Sequence, residues 1–374
     1  MTIGIDIRPL AGLRTGIQEY TDRLLAHMIP LAPEIEFKLF YSSFKSPAPE
    51  RPYMNLPNVR VYDFRIPNNL LFFCANIWGY PCLDDMLGGV DVFFSPHFFL
   101  APLSPAGRRI TTFHDLSYLR FPEFFTWRKR LWHNVEMNPE RQAKLSDKII
   151  AVSESTRDDL VEFYNIDPQN ISVVHSGVNV SKPDAESVLK FKKNKGLSER
   201  YALYVGTIEP RKNLQGLVQA FNILKERDGH QDVELIIIGK RGWRYEDIFQ
   251  DIANSPYASA IRYQGHLTED LSLYYSAASV CICPSFFEGF GFPVLEAMAC
   301  GTPVIASANS SLPEVAGSAA LLIDPYNISD LAEAIRIVLS DKAISARMSE
   351  EGIKRAKKFD WDTAAQKTLE ILTT

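Results

Sequence analysis

Only five of the 374 residues are cysteine, and none has the paired spacing of a metal site or a redox motif. Cys281 and Cys283 alternate within an apolar run, while Cys74, Cys82 and Cys300 stand alone. The pattern excludes a zinc or disulfide framework and reads as buried thiols in a reducing compartment. Uninterrupted apolar runs are also short, well below the roughly 18 residues that suffice to span a bilayer. The longest contender, 90–103, is broken by Asp91, Ser95, His97 and two prolines. Asp6 and Arg8 interrupt the N-terminal run, which therefore reads as a strand and not a signal peptide. Positive charge is not in excess: 40 Lys and Arg stand against 45 Asp and Glu, a net −5. That balance argues against general nucleic-acid binding. There is no Gly-x-Gly-x-x-Gly fingerprint after the first strand, no Asp-x-Asp pair in a suitable loop, and no short repeat or low-complexity tract. A cytoplasmic or peripheral protein is expected.

What is present is an ordinary globular composition, 46% hydrophobic and 23% charged, at a length that suits two domains. Strand-like runs at 3–7, 35–41, 59–64, 91–95, 109–113 and 148–152 alternate with amphipathic helices. The first predicted helix places Ile17, Tyr20, Leu24 and Met28 on one face. A polar, lysine-rich stretch at 182–195 then reads as a linker, with room for a short helix. The alternation restarts with strands at 201–206, 233–238, 261–264, 280–283, 303–306 and 319–323. Helices intervene, one of them striped by Leu214, Leu217, Phe221 and Leu224 and another at 329–339. An α/β fold of two Rossmann-like, doubly wound domains follows, spanning 1–178 and 179–357, with a tail at 358–374. Ligands in such sheets bind beyond the carboxyl ends of the strands, so the best sites of the two halves are expected on either side of one cleft.

Four constellations carry chemistry. The first is Ser285-Phe-Phe-Glu288-Gly-Phe290-Gly291-Phe292-Pro-Val-Leu-Glu296-Ala-Met-Ala-Cys-Gly, directly after an apolar strand. Its glycines permit a tight loop, and a helix is expected to start near Phe292 and Pro293 with its free amides available to a ligand. Glu288 and Glu296 are eight residues apart, about 12 Å along a full helix. The carboxylates of a retaining glycosidase lie roughly 5 Å apart. Two separate grips on an elongated ligand fit that spacing, each carboxylate accepting from neighbouring hydroxyls of a sugar or a ribose. The alternative is that both are solvated residues at the helix start.

The second is Val205-Gly206-Thr207-Ile208-Glu209-Pro210-Arg211-Lys212-Asn213, where a strand ends in glycine and a cationic pair precedes a helix. Arginine and lysine suit a pyrophosphate and would stabilise it as a leaving group; the alternative is a solvated pair. The third is the loop Gly12-Leu-Arg-Thr15-Gly16, whose backbone amides suit a phosphate. The fourth is Thr112-Phe113-His114-Asp115 at a strand's end. There Asp115 is expected to orient the imidazole and His114 to hydrogen-bond a sugar hydroxyl.

The Glu288–Glu296 segment resembles the glutamate–seven–glutamate motif of glycosyltransferase family 4, retaining enzymes of the GT-B fold, and the resemblance covers essentially the whole chain. It implies that Glu288, with the amides of Phe290, Gly291 and Phe292, contacts the transferred sugar, that Glu296 holds the ribose, and that Arg211 and Lys212 hold the diphosphate. It implies further that the loop at Gly16 covers the donor phosphate, that His114 touches the sugar, and that the stretches at Gly206–Thr207, 239–241 (Gly239) and 265–267 (Leu267) line the nucleotide. His175-Ser176 stands where many members have asparagine, and reads as hinge structure. The chain most resembles bacterial mannosyltransferases of surface polysaccharide and lipopolysaccharide biosynthesis, so GDP-mannose is the first choice of donor and a glycan or lipid-linked hydroxyl the acceptor. Neither a metal nor a bound cofactor is expected. A nucleotide-sugar epimerase, a glycan phosphorylase or a non-catalytic sugar-nucleotide-binding subunit are the alternatives.

Two further stretches remain. Trp127-Arg128-Lys129-Arg130-Leu131-Trp132 mixes aromatics with cations. It reads either as an acceptor or membrane surface, peripheral at the inner face, or as a helix packing its aromatics inward. The apolar stretch 70–80 joins that surface or the core. The tail, with Trp361, Leu369 and Leu372, is expected to cross back to the N-terminal domain.

Overall fold

A computed structural model describes residues 1–11, 15–105, 107–132, 137–227, 229–267 and 270–374. Gly12, Leu13 and Arg14, at the head of the predicted phosphate loop, lie outside the described residues. The chain divides into two units, Met1–Gly177 with Asp360–Thr374, and Val178–Phe359.

The first unit carries strands β1 (Thr2–Asp6), β2 (Glu36–Tyr41), β3 (Val59–Asp63), β4 (Val92–Ser95), β5 (Arg108–Phe113), β6 (Lys148–Ala151) and β7 (Ile171–Val173). Their order in the sheet is β3-β2-β1-β4-β5-β6-β7. The second carries β8 (Tyr201–Val205), β9 (Glu234–Ile238), β10 (Ile261–Tyr263), β11 (Val280–Cys283), β12 (Val304–Ser307) and β13 (Ala320–Ile323), ordered β10-β9-β8-β11-β12-β13. Every described pairing is parallel. Parallel strands need crossover helices, which cover both faces of the sheet. The continuous apolar runs follow from that: Val280, Cys281, Ile282 and Cys283 of β11 are all buried. In each sheet the strand order reverses once, between β1 and β4 and between β8 and β11. In each sheet, taken by itself, the carboxyl ends at that point are where doubly wound sheets take ligands.

Local signals explain the helix starts. Thr15 caps Gly16–Met28 by accepting from the Gln18 amide, and Ser153 caps Glu154–Tyr164 through Thr156. The expected stripe of Leu214, Leu217, Phe221 and Leu224 is buried along Leu214–Lys225. The short helix that stretch 182–195 allowed is present and takes up most of it, eleven residues at Ala185–Lys195. Asp184 caps its start and a left-handed Gly196 ends it, while Phe191 meets Tyr274 edge-on. β7 was not expected at all; three residues are too few to show a period. The C-terminal helix Trp361–Thr373 packs on Gly16–Met28, with Trp361 against Tyr20 at 6.0 Å between ring centroids and Asp362 on His27 at 2.6 Å. Among the described residues no helix is long and apolar enough to cross a membrane. All five cysteines are free; Cys281, Cys283 and Cys300 are buried as expected, but Cys74 and Cys82 are only half-buried.

Candidate active site

The loops after β8 and β11 meet at the reversal point of the second sheet because those strands pair directly, Val280 with Ala202 and Cys281 with Leu203. After β8 the chain makes one tight turn, Pro210–Lys212, and Asn213 in the left-handed region starts the next helix. After β11 it runs through Ser285 and Glu288 to Gly291, which precedes the helix Phe292–Ala299. Gly291 has φ 103, and a Cβ there would lie 2.7 Å from Leu312. Only glycine meets both demands.

Side chains and backbone bind the two loops together. The Phe286 amide donates to the Arg211 carbonyl at 2.9 Å, and Arg211 Nη1 donates to the Phe287 carbonyl at 2.7 Å. Lys212 Nζ reaches both Glu288 oxygens at 2.5 Å, and Arg211 Nη1 stands 3.7 Å from the same carboxylate. Ser285 Oγ donates to Glu288 Oε1 at 2.7 Å. Glu209 accepts from Arg211 Nε at 3.0 Å and Nη2 at 2.7 Å. Two carboxylates and two cations thus form one cluster, with Glu288 only 6% exposed. Solvated residues are excluded for this glutamate and for the cationic pair, whose side chains are nearly buried too. Burial pushes the Glu288 carboxyl up, but the Lys212 and Arg211 charges and the hydrogen bonds outweigh it, and the group lies below the usual carboxylate range. It is an anion throughout the neutral range.

The loop's backbone is fixed from the next strand's end. Ser310 Oγ accepts from the Glu288 amide at 3.0 Å; Ser311 Oγ donates to the carbonyls of Glu288 and Phe290 at 2.9 Å; Asn309 donates to that of Phe286 at 2.9 Å. Glu296, half-buried on Phe292–Ala299, accepts from the fully buried Tyr275 hydroxyl at 2.7 Å. Burial and the neighbouring carboxylate hold that phenol well above its ordinary pKa, so it remains a donor. Sequence reasoning missed Glu209 as an orienter, and Tyr275, Ser310, Ser311 and Asn309 altogether.

The rest of the predicted donor stretch lies along the same sheet edge. Gly206 follows β8 and accepts Gly239 at close range: a Cβ on Gly239 would stand 1.8 Å from the Gly206 carbonyl oxygen. The Ile208 amide donates to the Lys240 carbonyl and the Gly239 amide to the Gly265 carbonyl, so Thr207 and Leu267 flank a joined run of loops. Phe290 is buried and meets Phe292 edge-on at 5.2 Å.

In the first unit, His114 follows β5, and its Nε2 donates to the Pro96 carbonyl at 2.8 Å. Asp115 accepts from the amide and hydroxyl of Ser117, capping the turn that follows, and its charge acts on the His114 ring. Tyr20, one turn beyond Gly16, meets the imidazole edge-on at 4.7 Å and bonds Thr112 at 3.3 Å. Burial lowers the His114 pKa to about 4, so the ring is neutral and keeps Nδ1 as an acceptor. Gly16 is exposed at the helix start. The Trp127–Leu131 helix does not pack its first aromatic inward: Trp127 and Leu131 are exposed, beside Arg128 and Arg130, with Lys129 and Trp132 half-buried.

Residues 186–355 match the sequence profile of Glycosyl transferases group 1, and residues 15–182 that of Glycosyltransferase Family 4. The chain is 33% identical over 282 residues to the O-antigen chain mannosyltransferase B of Escherichia coli, covering 74% of this chain and 73% of that protein. It is 29% identical over 238 residues to the D-inositol 3-phosphate glycosyltransferase of Streptomyces bingchenggensis (60% of this chain), of which it spans about half, 52%. Among solved structures, sucrose-phosphate synthase of Thermosynechococcus elongatus superposes with a TM-score of 0.77 at 21% identity, over 99% of this chain and 98% of that one.

Proposed function

The chain belongs to glycosyltransferase family 4 and has the GT-B fold, and from that premise we propose that it transfers a mannosyl group from GDP-mannose, with retention, to a hydroxyl of a glycan or lipid-linked acceptor. The observation that carries the reading is the buried Glu288–Lys212–Arg211–Glu209 cluster at the reversal point of the second sheet. Arg211 and Lys212 bind the diphosphate, and Glu288 accepts from hydroxyls of the sugar. Glu296, with one oxygen fixed by Tyr275, accepts from the ribose diol. The first amides of Phe292–Ala299 add donors beside the sugar. The choice of mannose is supported by the name of the E. coli relative.

In the transfer, the bond between the anomeric carbon and the phosphate oxygen breaks and its electron pair stays with the nucleoside diphosphate. The acceptor oxygen bonds the same carbon on the same face, and its proton passes to the departing phosphate. The cations stabilise the charge that develops on the leaving group. They fill the role that a divalent ion would otherwise have, so activity is expected to survive a chelator. The protein works at the cytoplasmic side, soluble or peripheral. The test is turnover of GDP-mannose and of UDP-sugars with a lipid-linked glycan, and proton NMR of the product's anomeric centre. Selective use of GDP-mannose with retained configuration is expected; inversion, transfer from UDP-sugars alone, or epimerised donor without transfer overturns it.

A further inference from the structure

The helix Asn68–Trp78 in the first unit is apolar on both sides. Leu71, Phe72 and Ala75 face inward and are buried. Phe72 lies 6.1 Å from Phe99, in the loop after β4. Leu70, Phe73 and Ile77 recur at three- and four-residue spacing on the opposite face, and Trp78 and Tyr80 follow at its end. These five side chains are between 52% and 68% exposed. A soluble helix normally turns charge to water on that face, and contiguous exposed apolar area of this kind marks an interaction surface. Here the outer face has none: Arg65 is the only charged residue from 64 to 83.

The same β4 loop touches a second segment, since Phe98 meets Tyr118 at 6.5 Å. That segment leads to the helix Trp127–Leu131, which presents Trp127 and Leu131 to solvent with Arg128 and Arg130. Apolar side chains ending in Trp and Tyr match the boundary between acyl chains and headgroups, and the cations match anionic headgroups.

We infer that the outer face of Asn68–Trp78 inserts into an anionic bilayer surface, with Arg128, Lys129 and Arg130 supplying the electrostatic attraction. This deepens the reading of a lipid-linked acceptor, because it holds the first unit at the surface where such an acceptor resides. A second copy meeting it through the same face would cover the apolar side chains equally well, but would set the same cations against one another; charge complementarity decides for the bilayer.

The test is co-sedimentation with vesicles of phosphatidylglycerol and phosphatidylethanolamine, against vesicles of phosphatidylcholine, with neither donor nor acceptor present. Its failure therefore leaves the transferase reading intact. Wild type is expected to partition onto the anionic vesicles, with a blue shift of tryptophan emission that Trp78→Phe diminishes. Phe73→Ser with Ile77→Ser, and separately Arg128→Glu with Arg130→Glu, are each expected to weaken partitioning by about tenfold or more. The Phe73/Ile77 variant should keep the far-UV circular dichroism and the cooperative unfolding transition of wild type, which establishes that the first unit is folded. No partitioning by wild type, or equal partitioning by all variants, overturns the inference. So does a dimer in sedimentation that the Phe73/Ile77 variant dissociates while vesicle binding is unchanged.

Discussion

At the scale of single residues, the site is a set of charges held by partners. Removing Lys212 leaves the buried Glu288 carboxylate with Arg211 as its nearby cation and the weaker donors Ser285 and Cys283. Lys212→Ala is therefore expected to destabilise the protein by on the order of 3 kcal/mol as well as weaken donor binding. Chemical denaturation with and without GDP separates the two effects, and an unchanged midpoint contradicts the pairing. Glu288→Gln keeps the shape while removing the charge, and turnover is expected to fall by about 10²- to 10³-fold. Tyr275→Phe deletes one hydrogen bond to a carboxylate and is expected to raise the KM for donor by roughly tenfold with kcat little changed. A loss confined to kcat would show that Tyr275 serves something other than Glu296. His114 gives a pH prediction. Its folded pKa is about 4, below the roughly 6.5 of an unfolded histidine. Between those values the unfolded chain binds the proton first, so stability falls as pH falls. His114→Asn should flatten that slope in melting temperatures taken from pH 7 to 4; parallel slopes would contradict the burial argument. The acids and cations of the site were legible because glutamate, arginine and lysine amid apolar, glycine-rich sequence have few structural uses. Tyr275, Ser310 and Ser311 were not, since their hydroxyls act on a loop brought near only by strand order.

At the scale of elements, strand ends and loops set the geometry, and glycine marks where the backbone runs close. Gly239→Ala would drive a methyl into the Gly206 carbonyl. The loops after β8 and β9 must then part, at a strain of about 1–3 kcal/mol. Weaker nucleotide binding than in Gly196→Ala, where the added methyl meets open space, is the expected comparison. Strands were legible wherever a fully buried run was four residues or longer, as in β11. Ala185–Lys195 was legible only as room for a short helix within a linker, because its polar composition hides the period and Asp184 and Gly196 alone signal its ends. Asn68–Trp78 was ambiguous for the opposite reason: apolar residues on both faces leave no amphipathic pattern by which to choose core or surface.

At the scale of the whole molecule, the two sheets repeat one plan, reversing strand order at β1/β4 and at β8/β11. The C-terminal helix belongs to the first unit despite its place in the chain. Trp361 is nearly fully buried, and its backbone and ring stand where a Cβ on Gly177 would fall. Trp361→Ala should cost the first unit about 3–5 kcal/mol. The central claim is that the charges of the second unit bind an activated sugar through its diphosphate. Calorimetric titration of GDP into wild type and into a folded Arg211→Ala/Lys212→Ala variant tests it most directly. Two charge-assisted contacts predict a loss of about 100-fold or more in affinity; equal affinity in the two proteins would contradict it.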